Sequence, residues 1–264
     1  MRPFLFVLIA APLFAQFDPF VAKNIPLLNG KPNLKAKAPR MQNGKPDLNG
    51  VWWFHSPFDE NDQSDERQSG PLPPFINIAT PKPPDSPPMR PRALQLFGPR
   101  AAGLGKDMPL SKCLPAGIPF GYLIPVPNKI VQTNDLVVML FEETNSFRQI
   151  FLDGRPLPKN PVPTWIGYSI GHWEGDTLVV ESSGFNDRTW LDGIGHPRSE
   201  GLRMTERFRR TDVGHLSIEI TFDDNALYEK PWTTSVVLEL LPDGEPLEKI
   251  CLENEKDVHH LVGQ

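Results

Sequence analysis

From about residue 129 onward, apolar and polar residues alternate in short runs separated by turn-forming residues. A period of two marks half-buried strands, because successive side chains on a strand point to opposite faces. The pattern predicts strands over 129–133, 136–143, 147–152, 165–173, 177–183, 202–211, 215–222, 233–241 and 247–252. Between several of them stand Asp153-Gly154, Glu174-Gly175-Asp176, Asp212-Val213-Gly214 and Asp243-Gly244, where glycine supplies the positive φ of a tight hairpin turn. Many short strands without intervening helices mean a barrel or a sandwich. The expected fold is all-β: an antiparallel lipocalin-like barrel, with a β-sandwich as the alternative.

The same alternation assigns faces. Over 202–209, Glu206 falls with Leu202, Met204 and Phe208, opposite Arg203, Thr205, Arg207 and Arg209. A carboxylate among inward apolar positions pairs with a buried base or titrates high, since an unpaired buried charge costs several kcal/mol. Arg148 shares a face with Ile150 and Leu152 and offers the guanidinium. The plain reading of that pair is a structural ion pair inside a barrel. Over 165–173, an inward aliphatic face would place Tyr168 and His172 in the interior, whereas an inward small-residue face, Gly167, Ser169 and Gly171, would suit close packing.

The first half reads differently. Most of the 31 prolines crowd there, against helices and central strands. Residues 1–15 have the layout of a secretory signal peptide, with Arg2, a short apolar run and Ala15 before Gln16; the run is too short to span a bilayer. Residues 16–47 read as an extended segment with an imperfect Asn-Gly-Lys-Pro echo, and 48–112 as an aromatic strand followed by a proline-rich arm. The barrel domain is placed at 113–264. Gly50-Val51-Trp52 matches the Gly-x-Trp that opens lipocalin-like barrels, and fits an ordinary aromatic strand equally well. The doublets Pro73-Pro74, Pro83-Pro84 and Pro87-Pro88 favour polyproline II over 57–99, with a short helix at 90–96. In an exported chain, the even pair Cys113 and Cys251 favours a disulfide; two separate buried thiols are the alternative.

A net charge of −5 and a pI near 5.7 argue against nucleic acid as a partner. No Gly-x-Ser-x-Gly elbow is present, so a serine hydrolase is disfavoured. His172, His196, Glu200 and Glu206 are the residues a metal would use, but His196 and Glu200 sit four apart in a Gly- and Pro-containing loop where helical spacing has no meaning. No metal and no cofactor is therefore assigned. Catalysis, if present, would fall to His172 and Glu206 moving a proton, with Arg148 as electrostatic partner. The long loop 184–201 carries Asp187, Trp190 and His196, and long loops in compact domains serve as lids or binding loops. Tyr168, Trp190, His196 and Asp187 are thus the expected ligand contacts.

The chain also carries a set of specific motifs: Cys113-Leu114-Pro115-Ala116-Gly117, Phe147-Arg148-Gln149-Ile150-Phe151-Leu152-Asp153-Gly154-Arg155, Gly171-His172-Trp173-Glu174-Gly175-Asp176-Thr177-Leu178-Val179-Val180 and Glu206-Arg207-Phe208-Arg209-Arg210. In these it resembles, over about 107–263, a family of exported proteins of environmental bacteria with no function attached. The resemblance implies export and β-structure, and supplies no substrate. Family members often have Asp-Pro before the first cysteine motif, where this chain has Met108-Pro109, which weakens any role for an acid there. The combined expectation is an exported barrel, periplasmic or extracellular, that binds a small apolar or amphipathic molecule without inserting into a membrane. An acid-base isomerase, lyase or cyclase on the same barrel is the runner-up, and an envelope interaction protein the third reading.

Overall fold

In the computed structural model, residues 25–54, 78, 87–103, 105–251 and 253 are described. The signal-peptide segment and most of the proline-rich arm lie outside these residues. A two-stranded ribbon, β1 (Leu27–Leu28) and β2 (Lys31–Pro32), precedes β3 (Gly50–Phe54), helix α1 (Pro91–Ala102) and helix α2 (Phe120–Leu123). Eight further strands follow: β4 (Asn128–Gln132), β5 (Leu136–Phe141), β6 (Ser146–Phe151), β7 (Tyr168–Glu174), β8 (Thr177–Ser183), β9 (Arg203–Arg210), β10 (His215–Asp223) and β11 (Trp232–Leu240). Strands β3 to β11 close a nine-stranded barrel in chain order. The all-β barrel expectation holds, and the sandwich alternative falls.

Two strand assignments need correction. The ninth strand is not 247–252, of which the described residues 247–251 form no strand, but β3, the Gly50-Val51-Trp52 segment, paired between β4 and β11. Trp52 is fully buried there, its Nε1 donating to Leu48 O at 3.0 Å and its ring under the Arg210 guanidinium. Nor is the barrel wholly antiparallel: β6 and β7 run parallel, Ile150 opposite Ser169 and Phe151 opposite Ile170. Parity explains this. Strands that alternate direction in chain order close a ring only if their number is even, so nine strands leave one neighbouring pair parallel. The connection 152–167 has the length such a crossover requires.

The interior is filled from within the chain. Residues 116–124, centred on α2, are all buried, with Phe120, Tyr122 and Leu123 at 1% exposure or less. Tyr122 packs edge-on against Phe208 and lies near Phe141. This apolar run plugs the barrel, so its core is side chain rather than cavity. Close packing inside the wall also decides which way β7 faces. Its small face, Ser169 and Gly171, points inward, because a Cβ on Gly171 would lie only 3.0 Å from Leu152 and 3.1 Å from Ile150. The inward aliphatic face is therefore corrected: Tyr168, Ile170 and His172 point outward.

Helix α1 runs six residues beyond its expected end at 96; Gly98 and Pro99 do not stop it, and Gly103 caps it. Among the described residues no helix is long and apolar enough to cross a membrane. Cys113 and Cys251 form the disulfide, closing a sequence separation of 138 residues.

Candidate functional site

The buried polar centre is built on Arg148 and Glu206, side chains wholly inaccessible to solvent and joined as a two-pronged ion pair. Arg148 Nε donates to Ser169 Oγ at 3.1 Å and Nη2 to Ser182 Oγ at 2.9 Å, while Nη1 reaches both Tyr122 Oη and Glu206 Oε1. Tyr122 Oη in turn donates to Glu206 Oε1 at 2.7 Å. All five N–H groups of the guanidinium are thus engaged. Burial alone would lower the pKa of Arg148, but Glu206 and Tyr122 together hold it above its ordinary value. Burial pushes the Tyr122 phenol well up, with Arg148 pulling the other way. The centre is a charge-paired, fully satisfied network, as the structural reading of the pair anticipated. Tyr122, Ser169 and Ser182 were missed. The apolar run 116–124 was the available signal for Tyr122, and the inward small face of β7 for Ser169.

His172 does not join this centre. It is exposed on the outer face of β7, its Nε2 3.4 Å from Glu174 Oε1, and Arg207 holds the other Glu174 oxygen at 2.8 Å. The expected His172–Glu206 proton pair is corrected accordingly: the two stand on opposite sides of the barrel wall. Tyr168 lies on the same outer face, stacked on Phe151 at 5.4 Å, its hydroxyl accepting from Arg155 Nη1 at 3.2 Å.

The remaining expected contacts gather in the loop between β8 and β9. His196 is buried, its Nδ1 2.6 Å from Asp192 Oδ2, and Phe97 of α1 stacks on the ring at 4.6 Å. Asp192 also accepts the backbone N–H groups of Gly195, His196 and Ile78. Trp190 is buried beneath the Arg100 guanidinium, whereas Asp187 is exposed. The set His172, His196, Glu200 and Glu206 is not brought together, and no group of three or more potential ligands is found among the described residues.

A concavity lies at the parallel seam. Strand β7 pairs with β6 for only two residues, because the chain just before it peels away: Thr164 N donates to Gly184 O and Thr164 O accepts from Asn186 N, both beside β8. The first half of β6 is left without a neighbour on that side. A cleft of about 400 Å³ opens there, walled by Phe147, Phe151, Trp165, Ile166 and Tyr168, with Ser146, Gln149 and Thr164 as its accessible polar lining. It faces outward from the barrel wall rather than into the lumen.

Gly167 makes the turn that opens the cleft. Its φ is +74°, and a Cβ would meet Phe185 Cε1 at 2.6 Å and Ser183 O at 2.9 Å. Gly167→Ala is expected to destabilise the fold by about 2 kcal/mol, from left-handed strain plus overpacking. An unfolding midpoint equal to wild type would refute that account of the turn. No protein family, curated protein or solved structure matches the chain, so the site stands on its geometry.

Proposed function

We propose that this chain is an exported binding protein for a small, largely apolar molecule held in the seam cleft. The observation that carries the reading is the aromatic-walled gap left where β6 and β7 fail to pair. Its volume lies in the range of small-molecule sites, and its composition suits one: apolar walls with a few polar residues in the lining. Phe147 is 59% exposed on its rim, an aromatic face that a ligand would cover. The plugged lumen moves the ligand site from the interior, where lipocalin-like reasoning put it, to the outer wall. Export is supported by the disulfide, since such bonds persist in oxidising compartments.

The acid-base reading is not carried forward, because His172 faces solvent and Arg148 has no N–H to spare. The interaction reading rests on 57–99, of which residues 78 and 87–99 are described.

The test uses the uncharged fluorescent probe N-phenyl-1-naphthylamine. Wild type is expected to enhance its emission, and Phe147→Ala to bind it about tenfold more weakly through lost apolar contact. Because the ring is largely exposed, the unfolding midpoint of the variant should stay close to wild type. Equal affinity in the two proteins, or no binding by either, would overturn the assignment.

A further inference from the structure

A second cavity, of about 160 Å³, lies between α1 and the β8–β9 loop, and its lining includes three arginines, Arg92, Arg100 and Arg198, against one carboxylate, Asp187. Arg92 and Arg100 are eight residues apart on α1 with Leu96 between them, positions that share one helix face. Arg198 comes from the loop opposite and is 2% exposed.

The hydrogen bonds of Arg198 all end on neutral oxygens. Nε donates to Asn186 O at 2.9 Å, Nη1 to Ile118 O at 2.8 Å, and Nη2 to Trp165 O at 2.9 Å and Asn186 Oδ1 at 3.4 Å. These bonds use four of the five N–H groups and leave one on Nη1. Among the described residues no carboxylate is bonded to this guanidinium. Burial accordingly lowers its pKa to about 9, with only the more distant charge of Asp187 acting against that. Arg100 is in a similar state: desolvation lowers its pKa, its Nη1 lies 3.5 Å from Gly195 O, and its charge sits over the Trp190 ring at 5.2 Å. Arg92 is exposed at the mouth. Buried charges in proteins are ordinarily paired. Here one buried cation, a partly buried one and a third at the rim line a space large enough for a small oxyanion, and the one other polar side chain there, Ser199, already donates to Asp224 at 2.7 Å.

We propose that this cavity binds a tetrahedral oxyanion of the phosphate or sulfate type, free or as the headgroup of a small ester. Arg198 and Arg100 supply charge-assisted donors from within and Arg92 closes the mouth; guanidinium groups match such oxygens geometrically. Asp187 opposes the anion and keeps its affinity moderate. The site is independent of the seam cleft, although Arg198 holds the Trp165 carbonyl at the cleft's edge.

The test titrates the intact protein with inorganic phosphate and with glycerol phosphate by isothermal calorimetry, using chloride at matched ionic strength as control. Phosphate is expected to bind where chloride does not. Arg92→Ala, which removes an exposed side chain, should weaken binding about tenfold, and Asp187→Asn should tighten it severalfold. Tighter binding of glycerol phosphate identifies an ester headgroup, and equal binding the free ion. The proposal is overturned if neither compound binds more tightly than chloride, or if both variants bind like wild type.

Discussion

Replacing Glu206 by alanine is expected to lower the free energy of unfolding by about 3–5 kcal/mol, read as a fall in the urea midpoint. The loss comes less from the missing attraction than from what remains: a buried arginine at the barrel's centre with no carboxylate to pair it. Arg148→Ala should cost a similar amount, since it strands Glu206. The same physics predicts a rescue. Replacing Arg148 by methionine, Glu206 by leucine and Tyr122 by phenylalanine removes both charges and the phenol that depends on them, while Ser169 and Ser182 still bond each other at 2.9 Å. That triple variant should approach or exceed wild-type stability, because well-packed apolar replacements of buried ion pairs are often neutral or stabilising. A triple variant as unstable as either single one would show that the network does more than satisfy its own charges.

The disulfide carries the second large effect. The variant with both Cys113 and Cys251 changed to serine is expected to lose roughly 4–5 kcal/mol, the chain-entropy value for a closed loop of this length. Its effect should be local as well. The described part of the segment after β11, 241–251, pairs with no strand and is held by Leu247 N to Glu142 Oε2 at 2.8 Å and by a reciprocal pair between Asn145 and Lys249. The bond ties this segment to Cys113, just ahead of the plug. Amide exchange in the double variant should therefore rise first at 247–250. A loss below about 1 kcal/mol would mean that the unfolded chain is already restrained, or that the segment gains nothing from its tether.

Glu206 and Arg148 were legible in the sequence because a strand shows its inward face in every second residue, and a charge within that apolar set has few explanations. The same rule failed at β7, where both faces carry apolar residues. Period two separates Tyr168, Ile170 and His172 from Ser169, Gly171 and Trp173, but the space available inside decides which set turns in. That space was already taken by Tyr122 and Arg148, from segments distant in sequence.

By itself, the sequence determined the all-β class, the location of eight strands, the hairpin turns at 174–176 and 212–214, the pairing of an inward glutamate with an inward arginine, and the presence of two cysteines able to bond. Each follows from local alternation, turn chemistry or the cost of an unpaired buried charge. Only the tertiary structure decided that β3 completes the ring, that an odd strand number forces one parallel seam, that residues 116–124 fill the lumen, and that three arginines from two elements surround one small cavity. Those are matters of closure, volume and convergence, and no run of neighbouring residues encodes them.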